Sequence, residues 1–205
     1  MKKWFALGLL LISTMASAAI EAGKDYRVLP KPQPVADPGK VEVIEFFSYS
    51  CIHCLTLDAP LNAWSKKLPA DVSFRKEHVV WGKNMEGLAK LFATVKLDAK
   101  REQLQPAAFQ AVMQQRINLG DEAVLGDWIK KQPGVNAAAF MQNYRSFGVS
   151  SYAGRAAQMS RDYAVQGTPM VVVGGKYAVE PAEPARLLQV VDELIAKVRA
   201  ESKKK

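Results

Sequence analysis

The stretch EFFSYSCIHCLTL, residues 45–57, holds both cysteines of the chain and one of its two histidines. Cys51 and Cys54 are separated by two residues and directly follow an apolar run that contains Glu45. A pair with this spacing has four interpretations: a redox disulfide, half of a metal site, a haem attachment point, or chance. The sequence on either side of the pair helps to decide between them.

The segments around the cysteines predict a strand, a helix and a second strand. VEVIEFFSY (41–49) is rich in β-branched and aromatic residues, and its nearly continuous apolar character is typical of a strand buried on both faces. CIHCLTLDAPLNAWSKKL (51–68) predicts a helix that Pro60 should kink or divide. DVSFRKEHVVW (71–81) predicts the next strand. This order indicates a parallel pair of strands in an α/β fold.

The rest of the chain predicts an all-helical insertion. Residues 24–39 contain four prolines, which favours an extended lead-in. Residues 84–166 are rich in helix formers and show no strand pattern; turn signals there are Leu119-Gly120-Asp121, Pro133-Gly134 before Asn136 as an N-cap, and Gly148. TPMVVVGGKYAVE (168–180) predicts a hairpin around Gly174-Gly175, and a last helix should begin near Glu183.

The N-terminus predicts export. Residues 1–18 (MKKWFALGLLLISTMASA) combine two lysines, a short apolar core and the small residues Ala16-Ser17-Ala18, as a secretory signal peptide does. The apolar run is too short to span a bilayer comfortably. We expect cleavage after Ala18, with Ala19 as the competing site, and a soluble protein in the periplasm.

Composition narrows the class of protein. A hydrophobic content of 49% argues against disorder, and two cysteines are too few for a disulfide scaffold in a chain of 205 residues. The formal net charge is +8, but the only run of cations is the terminal Lys203-Lys204-Lys205, and elsewhere the cations alternate with acids. We therefore do not expect a nucleic-acid-binding protein.

The spacing of Cys51 and Cys54 suits reversible disulfide chemistry. Side chains at i and i+3 of a helix are about 5–6 Å apart at Cβ, close to what a disulfide requires. The unsatisfied N–H groups at the helix start should stabilise a Cys51 thiolate, and His53 can add positive charge or a hydrogen bond. Cys54, one turn further, would be the resolving thiol. No metal and no cofactor besides this disulfide is expected.

The competing interpretations fit the residues less well. Haem attachment requires a histidine directly after the second cysteine, but Leu55 stands there. A structural zinc site needs four ligands, and only His53 and His78 could join the two cysteines. A structural disulfide that closes so small a ring remains open, although it would stabilise the fold little.

Three further residues join the candidate site. Glu45 lies within the apolar strand, where burial should raise its pKa and let it exchange protons with the cysteines. Lys76 on the next strand is a plausible partner for its carboxylate. The alternative is that Glu45 reaches solvent at a sheet end. Thr168-Pro169 precedes the hairpin strand, and a cis bond there would bring the Thr168 backbone to the disulfide. His78 receives no role.

EFFSYSCIHC (45–54), KEHV (76–79), GTPMVVVGGKY (167–177) and the helical block between them resemble the DsbA family, the periplasmic thiol:disulfide oxidoreductases of the thioredoxin superfamily. The resemblance implies a thioredoxin fold with an inserted helical domain. It divides the chain into a signal peptide at 1–18, a thioredoxin-like domain at 19–82 plus 167–205, and a helical insertion at 83–166. A low thiol pKa and a strongly oxidising disulfide are known properties of DsbA.

The resemblance also implies the role of each site residue. Cys51 would be the nucleophile and Cys54 its resolving partner, Pro169 the cis-proline, Thr168 a tuning residue and Glu45 the buried acid beside Lys76. The best-known members have proline where this chain has Ile52, which affects the expected strength of the oxidant.

The function expected from the resemblance is the donation of a Cys51–Cys54 disulfide to reduced exported proteins. A membrane quinone-linked partner of the DsbB type would reoxidise a monomeric enzyme. A disulfide isomerase is the alternative within the same chemistry. A peptide-binding chaperone and a metal carrier that uses Cys51, His53 and Cys54 are the alternatives from other classes.

Overall fold

The sheet is built around the predicted parallel pair of strands. The structure, a computed structural model, describes residues 19–203, so the predicted signal peptide lies outside the described residues. Among these residues, five strands form one sheet in the order β1-β5-β4-β2-β3, where only the pair β2 and β3 is parallel. The strands are β1 (Tyr26–Val28), β2 (Val41–Phe47), β3 (Val72–His78), β4 (Met170–Val173) and β5 (Tyr177–Val179).

The central strand β2 is buried along its whole length, as its apolar sequence predicts. It pairs with β3 on one side and with β4 on the other, and it is covered on both faces. The short strand β1 was not expected, because it arises in the proline-rich lead-in. It forms by pairing with β5, a contact that depends on residues some 150 positions apart, such as Tyr26 and Val179.

Within the part of the chain that the structure describes, seven helices complete the fold, and five of them interrupt it between β3 and β4. A 3-10 turn (Lys83–Met85) precedes α2, and a π-helical turn (Gln110–Gln114) continues α3. No strand occurs within residues 83–166, so the α/β fold with an all-helical insertion is confirmed. The helices are α1 (Ile52–Ser65), α2 (Glu86–Leu97), α3 (Arg101–Phe109), α4 (Glu122–Ile129), α5 (Ala137–Tyr144), α6 (Phe147–Asp162) and α7 (Pro184–Ser202).

Helix starts follow the sequence signals, with one exception. The side chain of Asn136 accepts a hydrogen bond from Ala139 N at 3.0 Å and caps α5 as predicted. Gly148 does not form a turn between helices. It lies in the first turn of α6, which Ser146 caps. Helix α1 is not divided at Pro60 and runs through it from Ile52 to Ser65.

The hairpin between β4 and β5 has the predicted glycine turn. Gly174 and Gly175 have φ angles of 61° and 64°, a region that favours glycine. At Gly175 a Cβ atom would lie 2.2 Å from the carbonyl oxygen of Gln33, so the lead-in segment packs directly on this turn. The turn therefore fixes both the hairpin and the lead-in.

Two hydrophobic clusters meet at the segment that carries the cysteines. One lies between the sheet and helices α1 and α7 and includes Val43, Leu61 and Leu194. The other fills the helical insertion, and Tyr49 and Cys54 belong to it. The cysteine pair thus lies where the two cores join. Among the described residues, no helix has both the length and the apolar character that crossing a membrane requires.

Candidate active site

Cys51 caps the N-terminus of α1 with its own sulfur. Its backbone is extended (φ −112°, ψ 116°), and its Sγ accepts a hydrogen bond from Cys54 N at 3.1 Å. The sulfur therefore occupies the position that an oxygen usually takes at an N-cap, facing the unsatisfied N–H groups of the first turn. The sequence predicted Cys51 within the helix itself. The structure places it one residue earlier than the first turn, at the N-cap.

The two sulfurs differ in their access to solvent. Cys51 is partly exposed, whereas Cys54 is fully buried, and both thiols are free in this structure. As a thiol, Cys51 donates to the carbonyl oxygen of Thr168 at 3.2 Å. The Thr168–Pro169 peptide bond is cis, as the resemblance implies. The predicted residues Cys51, Cys54, Thr168 and Pro169 are thus brought together.

The surroundings favour a thiolate at Cys51. The hydrogen bond from the Cys54 thiol is the main cause that lowers the pKa of Cys51, to about 6. Hydrogen bonds from Thr168 and from the backbone N–H groups of Cys54 and His53 act in the same direction, and burial opposes them. Burial raises the pKa of Cys54 far above its usual range, and the adjacent Cys51 sulfur raises it further.

His53 lies exposed in the first turn of α1, beside Thr168 and Pro169. The contribution of His53 to the low Cys51 pKa comes from its backbone N–H. The predicted role of its imidazole stays a prediction.

Glu45 is buried in the middle of β2, with 1% of its surface exposed. Its Oε2 lies 3.2 Å from the Lys76 Nζ on β3, so the predicted pair is present. Burial raises the pKa of Glu45 to about 7, although the nearby ammonium of Lys76 acts against this. The alternative in which Glu45 reaches solvent at a sheet end is wrong.

Sequence reasoning missed Asp58, which completes this cluster. Its Oδ1 accepts from the Lys76 Nζ at 2.5 Å, and the residue is 5% exposed. The carboxylates of Glu45 and Asp58 raise the pKa of Lys76 against the effect of burial. A charged residue within the apolar helix segment LTLDAPL was the available signal, but the contact itself depends on how α1 packs on the sheet.

His78 has a structural contact with the active-site segment. It is fully buried, and its Nε2 accepts a hydrogen bond from Tyr49 N at 3.2 Å. Its Nδ1 lies 2.8 Å from the Val79 carbonyl oxygen, which assigns the proton to Nδ1. Burial lowers the pKa of His78 to about 4, so the ring is neutral near pH 7. His78 thereby anchors the chain two residues before Cys51.

A groove of about 890 Å³ is lined by His53, Thr168 and Pro169, and the Thr168 carbonyl oxygen in turn contacts the Cys51 sulfur. Leu57, Met170, Val179 and Leu187 give it apolar walls. Its charged rim includes Arg27 and Glu180, whose Nε and Oε1 atoms are 3.6 Å apart. Within residues 19–203, no group of three or more His, Cys, Asp or Glu side chains is arranged to hold a metal ion.

The site combines a buried strand, a CxxC pair at the start of the following helix and an opposing cis-proline loop. This combination defines a dithiol–disulfide oxidoreductase with a thioredoxin-like fold. A family model described as a DSBA-like thioredoxin domain matches residues 61–191. The chain belongs to the DsbA family.

Named relatives support this assignment over nearly the whole chain. The thiol:disulfide interchange protein DsbA of Pseudomonas syringae pv. tomato is 35% identical over 201 residues, which cover 97% of this chain and 94% of that protein. The protein of the same name from Burkholderia cepacia is 38% identical over 199 residues, which cover 95% and 93%.

Solved structures show the same fold. The oxidoreductase NmDsbA1 from N. meningitidis superposes with a TM-score of 0.87 at 36% identity and covers 91% of this chain and 98% of that one. Pseudomonas aeruginosa DsbA gives a TM-score of 0.84 at 33% identity, with 90% and 97% covered. The predicted thioredoxin fold with an inserted helical domain is therefore confirmed. The protein is a thiol:disulfide oxidoreductase.

Proposed function

We propose that the protein oxidises reduced exported proteins in the periplasm by transferring its Cys51–Cys54 disulfide to them. The observation that carries this proposal is the unequal environment of the two sulfurs. Cys51 is accessible and has a lowered pKa of about 6, while Cys54 is buried with a raised pKa. A sulfur that is stable as a thiolate is a good leaving group, which makes the disulfide a strong oxidant.

The reaction consists of two exchanges. A substrate thiolate attacks the Cys51 sulfur, the Cys51–Cys54 bond breaks, and Cys54 leaves as a thiolate that takes up a proton. A second substrate thiolate then attacks the substrate sulfur of the mixed disulfide and releases Cys51 as a thiolate. The substrate loses two electrons and gains a disulfide, and the enzyme gains two electrons and becomes a dithiol.

Glu45 is the proposed proton acceptor and donor for Cys54. A carboxyl with a pKa of about 7 exchanges protons readily near neutral pH. Lys76 bridges Glu45 to Asp58 and is proposed to hold this cluster in place. No cofactor is required besides the disulfide.

The groove beside the Thr168-Pro169 loop is the proposed binding site for the substrate chain. Its apolar walls suit an unfolded segment, and the backbone groups of Thr168 lie next to the Cys51 sulfur. The proposed catalytic domain comprises residues 19–82 and 167–205, with the helical insertion at 83–166. A quinone-linked membrane protein of the DsbB type is the proposed reoxidant of a monomeric enzyme.

The test compares Cys51→Ser with Cys54→Ser in the oxidation of a reduced dithiol peptide. Cys51→Ser should lose all turnover, because the sulfur that is attacked is absent. Cys54→Ser should accumulate a mixed disulfide with an added single-cysteine peptide disulfide, detectable by mass spectrometry. Oxidase activity retained by Cys51→Ser would contradict the mechanism.

Two further measurements separate the alternatives. Light scattering that gives a monomer mass supports the oxidase over a dimeric isomerase. A chaperone would prevent aggregation of an unfolded protein equally well with both cysteines replaced by serine, whereas the proposed oxidase loses its activity in that variant.

A further inference from the structure

A tight turn joins the end of β2 to the start of α1, and Cys51 is its last residue. The N–H of Cys51 donates to the carbonyl oxygen of Ser48 at 3.1 Å, which closes the turn. The N–H of Ser50 donates to the Ser48 Oγ at 3.2 Å. Since Cys51 is also the N-cap of α1, any displacement of this turn moves its sulfur relative to the helix start.

Tyr49 occupies the second position of this turn. A turn of this kind pairs only its first carbonyl with its fourth N–H, so the N–H at the second position needs an acceptor from elsewhere. Tyr49 has 0% exposure, so water does not reach that N–H. The Nε2 of His78 accepts from it at 3.2 Å. Because a buried backbone donor without a partner is costly, this contact fixes the turn relative to β3.

The ring of His78 is held with its Nε2 toward the turn. The Val79 carbonyl oxygen, 2.8 Å from Nδ1, can only accept, so the proton lies on Nδ1 and Nε2 keeps its lone pair. The rings of Phe47 and Tyr49 contact the imidazole, with centroids 5.2 and 5.6 Å from its own. His78 is also paired with Phe47 across the parallel strands. The neutral ring is therefore fixed as an acceptor.

We infer that His78 is a positioning residue for disulfide exchange, because its ring holds the turn that places the Cys51 sulfur at the helix start. That sulfur accepts a hydrogen bond from Cys54 N at 3.1 Å. Hydrogen bonds weaken steeply when their angle or length is poor, so a displaced turn stabilises the thiolate less. Without the His78 acceptor, the pKa of Cys51 rises and the disulfide becomes a weaker oxidant.

The inference rests on the proposed role of Cys51 as the attacked sulfur, and His78 itself does not touch the substrate. The alternative is that His78 only stabilises the fold. In that case its replacement lowers the melting temperature and leaves the Cys51 thiolate of the folded protein unchanged. The pKa of Cys51 therefore separates the two roles.

The test compares two amide side chains at position 78. His78→Gln can place an amide oxygen near the position of Nε2, whereas His78→Asn reaches only as far as Nδ1 and leaves the Tyr49 N–H without an acceptor. The pKa of Cys51 is measured in each reduced protein from the ultraviolet absorbance of the thiolate. Cys51→Ser identifies the transition, because it should abolish it.

His78→Asn should raise the Cys51 pKa by about half a unit or more. A less stable thiolate disfavours the reduced protein, so the equilibrium with glutathione at pH 7 should move roughly two- to threefold toward the disulfide. His78→Gln should leave both quantities close to those of the unmodified protein. The melting temperature of each variant is measured to confirm folding.

Tyr152→Phe is the matched control. The Tyr152 hydroxyl accepts from the backbone N–H of His78 at 3.2 Å and donates to the Glu77 Oε2 at 2.6 Å. Its removal takes two hydrogen bonds from the same region and leaves the imidazole on the turn. The melting temperature should therefore fall, while the pKa of Cys51 stays the same.

NMR of the unmodified ¹⁵N-labelled protein tests the contact itself, even if His78→Asn does not fold. A coupling across the hydrogen bond should connect Tyr49 N with His78 Nε2. The inference is overturned if this coupling is absent or if folded His78→Asn keeps the Cys51 pKa of the unmodified protein. It is also overturned if His78→Gln or Tyr152→Phe raises that pKa as much as His78→Asn.

A failure of the proposed function is recognised separately. It appears in the unmodified protein, as the absence of a Cys51 transition near the expected pKa of about 6. That result would overturn the inference together with the proposed function. A normal transition in the unmodified protein with no change in folded His78→Asn would overturn the inference alone.

Discussion

The hydrogen bonds that the Cys51 sulfur accepts at the start of α1 influence the redox equilibrium of the protein. They stabilise the thiolate, which exists only in the reduced protein, and leave the disulfide unaffected. The consequence is a dependence of the redox equilibrium on pH, with a midpoint set by the Cys51 pKa of about 6.

We expect the equilibrium with glutathione to shift toward the reduced protein as pH rises above 6. Reduction by two glutathione thiols then yields one protein thiolate and releases one proton, so the equilibrium constant should rise about tenfold per pH unit up to about pH 8.5, where free thiols ionise. Below pH 6 it should be constant. Thiol trapping across this range measures it, and a constant value throughout would contradict a thiolate at Cys51.

Burial opposes the ionisation of Glu45. This determines whether Glu45 makes the free energy of unfolding rise or fall as pH increases. The native carboxyl, with a pKa of about 7, holds its proton up to about that pH, whereas the unfolded one releases it near the ordinary glutamate pKa of 4.5. Between these values the native state binds more protons, so this residue makes the free energy of unfolding fall as pH rises.

Glu45→Gln should therefore be more stable than the unmodified protein at pH 8 and nearly equal to it at pH 4. Lys76 keeps Asp58 as its partner in this variant. Urea unfolding at both pH values measures the difference. Glu102→Gln, an exposed acid, is the control and should change stability little at either pH. A variant less stable at pH 8 would mean that the charged pair stabilises the fold.

At the scale of elements, α2 packs so closely on the turn after the π-helical segment that a glycine is required. A Cβ atom on Gly87 would lie 2.0 Å from the carbonyl oxygen of Gly120. That atom belongs to the backbone, so the contact can be relieved only by moving one element away from the other.

Gly87→Ala should lower the free energy of unfolding by about 1–3 kcal/mol, the range for an overpacked contact. Gly154→Ala is the matched control, because Gly154 also lies within a helix but has nothing within 4 Å of an added Cβ. The control should be neutral or stabilising by up to about 1 kcal/mol through helix propensity. Equal effects of the two substitutions in thermal or urea unfolding would refute the close packing.

The sequence predicted elements whose signals are local. The strand β2, the helix start at the cysteines and the glycine turn of the hairpin each depend on a few neighbouring residues. It missed β1, Asp58 and the anchoring contact of His78, because each is defined by a partner that only the folded chain brings near. Periodicity and turn residues carry no information on such contacts.

At the scale of the whole molecule, the active-site segment connects two cores. Phe47, Tyr49 and Cys54 pack with the helical insertion, while Val43 on the same strand packs with α7. Cys54 therefore belongs to the core of the helical insertion, which also contains Phe47 at the end of β2. The cluster that fills the helical insertion thus includes Cys54, and the partly buried Cys51 packs against the same cluster.

The unequal burial of the two sulfurs lets the reduced protein report its own unfolding. Cys51 is reachable in the native state, and Cys54, with 0% exposure, is not. Iodoacetamide in excess should therefore attach one label to each folded molecule and two to each unfolded one. Intact-mass spectra taken along a denaturant series would count both populations directly. Doubly labelled protein without denaturant would show that the inner sulfur is reached by local opening.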